Sequence, residues 1–519
     1  LGLDGATWEI IDKFIEQGAL PYFSKLKNNG SWGVLRSTIP CYSPLAWNSI
    51  FSGVNPSKHG ILGFVEHLYG SMNLRPLSSA DRKYPMLWNY ADSYGIESVS
   101  INLPFSFPLQ TEKGIFVSGL GTPSLECDYT YPGDLKDYIK ENYPDYRIDF
   151  DEKLMSKRDN RQFFHDECFK ILESRIKLAK EMFCNKNWQI FSSVIRLTDI
   201  LQHFCWDDVQ VIKKAYEKID EFLDFLFKNM DSKDTLMIIS DHGFSDLKSM
   251  IHIVNFLLQE GYMVFKEKAK IKKGISTTKI KEYIIKIGGE NLLNFIKRNN
   301  FIKKILFKAL PVGKYSYFGA IDWGRSSISY AEGSGGIAYF NPKLKANEQK
   351  LGDLFTELRE KALKLKTPDG SKVFKDVYLS EKLYSQDGPD IIFRVNKGYC
   401  ADGFDRQDRS VFGKNKSGYI GMHDEDGIVA IYGQEIKKGQ YIAKAGVCDI
   451  LPTILALLGK QIPTYFDGKP LGGISTKGLK YRSIEVAKEK FFSGEDFSGG
   501  YSEGENEQIK ENLKNLGYL

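Results

Sequence analysis

The chain has 519 residues, of which 42% are hydrophobic and 26% are charged, and its formal net charge is +5. These values are typical of globular proteins, and a charge this small for the length does not by itself indicate a nucleic-acid partner. The sequence contains no run of about eighteen or more apolar residues, the length that a membrane-spanning helix needs. The seven cysteines form no C-x-x-C pair, and their odd number argues against a complete disulfide framework. A reducing, cytoplasmic location is therefore expected.

The first half of the chain alternates between short apolar segments and amphipathic segments. The opening "LGL" is predicted to be the end of a strand that begins upstream, and a helix is predicted around residues 8–17. Further strands are predicted at "SVSINLP", "GIFVSGLG", "QIFSSVIRLTD" and "TLMIISDHG". Between the last two, "VIKKAYEKIDEFLDFLFKNM" has apolar residues at helical spacing. Such alternation is typical of an α/β fold with a largely parallel sheet.

The middle of the chain has a different composition. Lys and Arg dominate residues 266–308, where apolar residues recur at helical spacing. We interpret residues 256–315 as a basic helical insertion, or cap, between a first core part at 1–255 and a second at 316–475. Two roles stay open for the insertion, namely a solvated helical face or contact with a membrane surface or an anionic substrate. Residues 476–519 are expected to form a flexible linker and a C-terminal helix.

Carboxylates and histidines stand at or near the ends of several predicted strands, where functional residues of parallel sheets gather. They are Asp4, Asp199, His203, Asp241, His242 and His423. Asp199 and His203 are four residues apart, so one helical turn places both on the same face. Taken singly, each residue is equally well explained by helix capping or core packing. Together they form the mixed oxygen and nitrogen donor set that two ions of the zinc type prefer.

Eight short stretches, spread over nearly the whole chain, stand out as motifs. They are "LGLDGATW", "SPLAWNSIFSGVNPSKHGI", "INLPFSFP", "TDILQHFCW", "SDHGF", "MHDEDGIVAIYG", "VCDILPTILALLG" and "FDGKPL". In kind and in order they resemble the alkaline phosphatase superfamily, and more narrowly its type I phosphodiesterase/nucleotide pyrophosphatase branch. The resemblance implies an alkaline phosphatase-like α/β core, with a central, largely parallel sheet flanked by helices. It also implies a metal-dependent hydrolase of phosphate esters.

The same resemblance assigns roles to individual residues. One divalent ion would be held by Asp4, Asp241, His242 and Ser43. The other would be held by Asp199, His203 and His423. Ser43 would also be the nucleophile and would form a phosphoseryl intermediate. Zinc suits these donors best, and manganese is the alternative.

Two neighbouring positions refine this interpretation. His59, in "PSKHGI", is expected to support the nucleophile segment and not to bind metal. Ala46 stands where the branch often carries an Asn that holds the phosphate, and Asn48 is off register. This departure leaves open whether the substrate is a nucleotide, a lipid head group or a glycan phosphate. The expected partner is therefore a small-molecule phosphate ester, or one linked to a lipid or glycan, and not a nucleic acid.

Three other activities on the same scaffold, and one non-enzymatic role, are alternatives. A phosphomonoesterase would differ mainly in extra charged groups around the phosphate. A sulfatase needs Cys or Ser in a C/S-x-P-x-R context, whereas Ser43 stands in "SPLAW", which lacks the Arg. A phosphoglycerate-mutase-like isomerase matches the motifs less well. The non-enzymatic alternative, a protein that docks its basic segment on a polyanion or membrane surface, would not need every predicted ligand position to be filled.

Overall fold

The structure is a computed structural model. It describes residues 1–67, 74–111, 113–185, 187–266, 320–330, 335–384, 389–403, 409–413, 418–491 and 500–516. Residues 267–319, which include most of the basic insertion predicted at 256–315, lie outside the described residues, so the helices of the insertion and its role as a cap stay predictions. In the described part of the chain, no helix has both the length and the hydropathy needed to cross a bilayer.

The secondary structure comprises helices and mostly short strands. The helices are α1 (Trp8–Glu16), α2 (Pro21–Asn29), α3 (Ser43–Ser52), α4 (Pro56–His59), α5 (Leu87–Tyr94), α6 (Leu135–Asn142), α7 (Glu152–Met155), α8 (Arg161–Asn185), α9 (Leu197–Cys205), α10 (Val209–Asn229), α11 (Ile253–Gln259), α12 (Glu348–Lys364), α13 (Ile450–Leu457) and α14 (Glu503–Leu516). The strands are β1 (Gly2–Leu3), β2 (Ser31–Arg36), β3 (Val65–His67), β4 (Leu74–Pro76), β5 (Ser98–Leu103), β6 (Ile115–Ser118), β7 (Thr130–Tyr131), β8 (Ile190–Ile195), β9 (Thr235–Ile239), β10 (Gly243–Asp246), β11 (Ser249–His252), β12 (Ile328–Tyr330), β13 (Ile337–Phe340), β14 (Phe374–Leu379), β15 (Ile391–Val395), β16 (Tyr399–Asp402), β17 (Phe412–Gly413), β18 (Gly421–Asp424), β19 (Asp426–Gly433), β20 (Gln440–Ile442), β21 (Ile462–Pro463) and β22 (Ser483–Ile484).

A nine-stranded sheet forms the centre of the fold, in the order β20-β2-β19-β9-β1-β8-β5-β6-β7. The strands β9, β1, β8, β5 and β6 pair in parallel, and β19 runs antiparallel to both β2 and β9. The interior strands are short apolar runs, because helices cover both of their faces. The prediction of an α/β fold with a mostly parallel central sheet is confirmed.

Sequence signals explain where the helices near the centre begin and end. Helix α3 has Pro44 in its first turn and ends at Gly53, whose φ of +69° is readily adopted only by glycine. Helix α10 is capped by Asp208, whose carboxylate accepts the amide of Val211 at 3.2 Å. Its apolar face, including Ile219 and Leu223, is fully buried.

A smaller antiparallel sheet, in the order β12-β13-β15-β14, packs with α12 around a separate apolar core. The chain leaves the central region through β10 and β11 and returns through β16 and β18. Strand β10 pairs antiparallel with β18, which sets Phe244 opposite His423. Strand β11 pairs in parallel with β16. These two pairings bring the region around His423 back to the carboxyl end of β9.

Candidate metal centre and active site

The carboxyl ends of three neighbouring strands converge at one edge of the central sheet. Because β9, β1 and β8 are adjacent and parallel, the segments that follow them start from the same edge. Asp4 follows β1, and Asp241 follows β9. The strand predicted to reach Asp199 ends earlier, at Ile195, and Asp199 lies in the first turn of α9. All three carboxylates are fully buried.

One group of side chains surrounds the imidazole of His242. Its Nε2 atom lies 3.5 Å from Asp4 Oδ1 and 3.2 Å from Asp241 Oδ2. The hydroxyl of Ser43 lies 3.1 Å from the same nitrogen. Asp4 Oδ1 and Asp241 Oδ2 are buried carboxylate oxygens that accept no hydrogen bond. Such oxygens are costly to bury unless a cation binds them.

A second group forms around Asp199. Its Oδ1 atom lies 3.3 Å from His203 Nε2 and 3.2 Å from His423 Nε2. The two Nε2 atoms are 2.9 Å apart. The groups adjoin, because the rings of His242 and His423 stack with their centroids 3.8 Å apart. The structure thus brings all seven residues named from the sequence into one cluster, and it leaves none of them elsewhere.

The three histidines are all oriented through their other ring nitrogen. The Nδ1 atom of His203 donates to the Gly421 carbonyl at 3.1 Å, and that of His423 donates to the Cys41 carbonyl at 3.2 Å. The Nδ1 atom of His242 donates to the Gly243 carbonyl at 3.0 Å. In a neutral ring this leaves each Nε2 as an acceptor that faces the cluster. Backbone carbonyls commonly orient metal-binding histidines in this way.

Burial controls the ionisation of these groups. It raises the pKa of Asp4 well above its usual range and that of Asp241 to about 7, and neighbouring carboxylates add to both shifts. Burial lowers the pKa of His242 to about 4 and also lowers that of His423. Burial raises the pKa of Asp199 as well, but the neighbouring His203 and His423 outweigh burial and hold this pKa well below its usual value. Near neutral pH the imidazoles of His242 and His423 are therefore neutral, and their Nε2 atoms and the buried carboxylate oxygens form a donor set that fits divalent cations.

The candidate nucleophile stands at the first residue of helix α3. Ser43 is 1% exposed, and its helix begins after Tyr42, which has extended backbone geometry. Its hydroxyl therefore lies at the positive end of a ten-residue helix, where the partial charge favours an anion. The side-chain amide of Asn48 donates to the Pro44 carbonyl at 2.7 Å, one turn back on the same helix.

A scan against family models decides the relationship to known proteins. The model described as type I phosphodiesterase / nucleotide pyrophosphatase matches residues 1–423. The chain belongs to this family. The enzyme is accordingly a phosphoester hydrolase of the phosphodiesterase/pyrophosphatase type, and this family typically depends on divalent metal ions. The predictions of family and enzyme class made from the motifs are confirmed.

Solved structures resemble this phosphodiesterase-family enzyme in fold. Phosphonoacetate hydrolase from Sinorhizobium meliloti 1021, in complex with phosphonoacetate, is 12% identical with a TM-score of 0.53, covering 87% of this chain and 92% of its own. Human ectonucleotide pyrophosphatase/phosphodiesterase 5 is 13% identical with a TM-score of 0.47, covering 91% and 96%. No curated protein matches the chain. At such low identity the first likeness shows the alkaline phosphatase-like fold alone.

Two residues beside the cluster were not singled out from the sequence. Trp47 is fully buried, and its indole N–H donates to Asp4 Oδ2 at 3.1 Å. It lies one helical turn after Ser43, a spacing that could have placed both on the same face of the enzyme's helix α3. Arg196 follows β8 directly, and its guanidinium contacts Asp4 and Asp199. Arg196 lies three positions before Asp199, and no spacing or motif in the sequence distinguishes it as a neighbour of the cluster.

Side-chain contacts hold both the segment before Ser43 and the helix α3 that begins with it. Tyr384, from the region of the smaller sheet, accepts the amide of Ile39 at 2.9 Å and donates its hydroxyl to the Ile39 carbonyl at 2.7 Å. Behind helix α3, His59 Nε2 lies 3.1 Å from the Ser49 hydroxyl, and burial lowers the pKa of His59 to about 3. This contact joins His59 to the helix that carries Ser43.

Proposed function

We propose that the enzyme hydrolyses phosphate diesters with the help of two divalent cations, and that Ser43 is its nucleophile. The observation that carries the proposal is one buried cluster of imidazole nitrogens and carboxylate oxygens, with the Ser43 hydroxyl 3.1 Å from His242 Nε2. Acceptors so close together repel one another unless cations lie among them. A hydroxyl at the edge of such a site is placed for attack on a bound phosphoryl group.

The two groups of side chains would each hold one cation. Asp4, Asp241, His242 and Ser43 would hold the first, and Asp199, His203 and His423 the second. His242 lies close enough to Asp199 and His423 to stand between the two positions. When bound, the cations supply positive charge to the phosphoryl oxygens and lower the pKa of the hydroxyl that they contact. Imidazole and carboxylate donors favour zinc, with manganese as the alternative.

The chain's own residues account for the chemical steps. Helix α3 directs its N-terminus toward the phosphate and stabilises negative charge on the Ser43 oxygen. That oxygen attacks phosphorus, the bond to the leaving alcohol breaks, and the hydroxyl proton ends on the alcohol. Water then attacks the phosphoserine, releases the monoester and restores the Ser43 hydroxyl. The carboxylates and imidazoles stay fixed in both steps, since buried contacts hold each of them.

The family and the charge around the cluster favour a diester over a monoester. A monoester carries more negative charge and is expected to need additional cationic side chains. Arg196, the cation that the described residues place at the cluster, faces carboxylates. A small phosphate diester, free or linked to a lipid or glycan, is therefore the proposed substrate class. For the basic insertion, contact with a membrane surface or an anionic substrate stays an alternative to a solvated helical face.

A panel of chromogenic esters tests the proposal. Protein stripped with a chelator and reloaded with zinc or manganese is assayed on a nitrophenyl phosphate diester, a phosphate monoester and a sulfate ester. We expect metal-dependent turnover that is fastest with the diester, and acid-quenched samples should contain a phosphorylated peptide that includes Ser43. Faster turnover of the monoester would contradict the ester class, and failure of the folded, metal-loaded protein on all three esters would refute the proposal.

A further inference from the structure

Arg196 is a buried cation surrounded by carboxylates. It stands between the last residue of β8 and the first residue of α9, and it is 2% exposed. Its Nε atom lies 3.9 Å from Asp4 Oδ2, and its Nη2 atom lies 3.5 Å from Asp199 Oδ2. Its Nη1 atom contacts both oxygens of Asp149. One guanidinium therefore links the carboxylates of both candidate cation positions to a third carboxylate outside them.

The carboxylates of Asp4 and Asp199 orient their two oxygens in the same way. Asp4 directs Oδ1 toward His242, while its Oδ2 accepts from Trp47 and faces Arg196. Asp199 directs Oδ1 toward His203 and His423, while its Oδ2 faces Arg196. In each case one oxygen faces the cluster and the other faces the guanidinium. This arrangement suits carboxylates that bind a cation through a single oxygen.

The guanidinium is itself anchored from outside the cluster. Asp149 belongs to the segment between α6 and α7, and Arg175 of α8 fixes the backbone beside it. The Arg175 guanidinium donates to the Arg147 carbonyl at 3.0 and 3.1 Å and also to the carbonyl of Ile148. Asp149 is thus held by its neighbours in a position that orients Arg196, which in turn is placed to orient Asp4 and Asp199.

We propose that Arg196 is a positioning residue that holds the outer oxygens of Asp4 and Asp199 and so keeps their inner oxygens directed at the two cations. The inference rests on the proposed function, because it assumes that the cluster binds divalent cations. The charge of Arg196 alone would repel such cations, so any favourable effect must come from its geometry. A guanidinium is a rigid, planar fork that can contact several carboxylates at once, whereas a lysine ammonium is a single point charge on a flexible stem.

The substitution Arg196→Lys separates geometry from charge. Zinc affinity is measured by competition with a chromogenic chelator, on protein whose folding is checked by circular dichroism and melting temperature. We expect zinc to bind about 10- to 100-fold more weakly, as is typical when a residue that orients metal ligands is lost. Activity should recover at high zinc concentration, because excess metal compensates for weaker binding. A folded Arg196→Lys protein with wild-type zinc affinity would overturn the proposal.

Arg82→Lys is the matched control. Arg82 is 4% exposed, and its guanidinium contacts the Ser79 carbonyl, Gln110 and the face of Trp88. The same chemical change is therefore made at similar burial but away from the cluster carboxylates. We expect Arg82→Lys to keep wild-type zinc affinity. An equal loss of affinity in both variants would mean that general loosening of the fold is responsible, and it would overturn the positioning role.

Asp149→Asn tests the same idea if Arg196→Lys does not fold. It leaves Arg196 in place but replaces one of the two oxygens that its Nη1 atom contacts and removes the charge that balances it, and both changes should weaken zinc binding. Unchanged affinity in a folded Asp149→Asn protein would overturn the proposal. The binding assay involves no turnover, so a wild-type protein that binds zinc but hydrolyses no ester would refute the proposed function and leave this test intact. A wild-type protein that binds no divalent cation would overturn both.

Discussion

Replacing Ser43 by alanine removes one hydroxyl from the edge of the cluster and little else. The structural cost is expected to be small, because the interaction that is lost is a hydrogen bond between the hydroxyl and His242 Nε2, which are 3.1 Å apart. A neutral hydrogen bond contributes about 0.5–1.5 kcal/mol to stability, and alanine is a better helix former than serine. We therefore expect the free energy of unfolding to change by about 1 kcal/mol or less. Asp4, Asp241 and His242 keep their positions, so cation binding should persist.

The catalytic cost is expected to be far larger than the structural one. Without the Ser43 oxygen no phosphoserine forms, and the diester can be attacked only by water. Loss of the nucleophile should lower kcat by about a thousandfold or more, which corresponds to about 4 kcal/mol of transition-state stabilisation. The remaining activity would come from substrate binding and charge stabilisation, which the variant retains.

Two matched variants complete the assay. Ser52→Ala removes a hydroxyl that donates to the Asn48 carbonyl at 2.6 Å on the same helix, and it should keep nearly full activity. Ser43→Thr retains a hydroxyl at the first helical position and should keep measurable turnover. Initial rates on a diester and phosphopeptide mapping after acid quenching are measured for all three. A Ser43→Ala protein whose rate stays within about tenfold of wild type would refute the nucleophile assignment, since so small a loss amounts to only about 1.4 kcal/mol.

Three further predictions concern the cluster and the segment before Ser43. Stripping the metal with a chelator should lower the melting temperature more at about pH 8 than at about pH 5, because cations bind ionised carboxylates and the pKa of Asp241 is raised to about 7 without them. Without metal, ionisation of Asp241 should also make the free energy of unfolding fall as the pH rises from about 4 to 7. An equal loss of melting temperature on metal removal at about pH 8 and about pH 5, measured by scanning calorimetry, would contradict this pH dependence. Trp47→Phe removes the donor to Asp4 Oδ2, so it should cost about 1.5–3 kcal/mol of stability in denaturant unfolding and weaken zinc binding, and a variant unchanged in both would disprove the contact. Tyr384→Phe removes both hydrogen bonds to Ile39, so it should destabilise the fold by about 1–3 kcal/mol and lower kcat, and steady-state kinetics with an unchanged kcat would argue against a link between Tyr384 and the nucleophile segment.

Local patterns in the sequence predicted the centre of the sheet well. The apolar runs before Asp241 and before Arg196 are buried strands, and the four-residue spacing of Asp199 and His203 does lie on a helix, α9. The end of β8 was predicted too late, because "RLTD" continues the apolar alternation of the strand although its residues already start the helix. Local periodicity does not distinguish a strand end from a helix start when polar and apolar residues alternate through both.

Long-range partners could not be predicted in the same way. Strand β19 pairs with β2, so Asp426 lies opposite Arg36, and the apolar run in β19 gives no indication of that distant partner. Trp47 and Arg196 are similar cases, since a tryptophan in a helix and an arginine after a strand are both common in structural roles. Their contacts with Asp4 depend on how β1, β8 and α3 pack together. Only the folded arrangement determines that.

The antiparallel pairing of β10 with β18 has an evolutionary consequence. A slip of one residue in that pairing would turn His423 to the opposite face, so the geometry of the cluster depends on this register. The chain between residues 253 and 398 departs and returns beside this junction, and the free energy of closing such a loop varies only weakly with its length. Lineages could therefore lengthen, shorten or exchange this stretch as a module while the chemistry stays constant. The link from Tyr384 to Ile39 is one contact that such an exchange would have to rebuild.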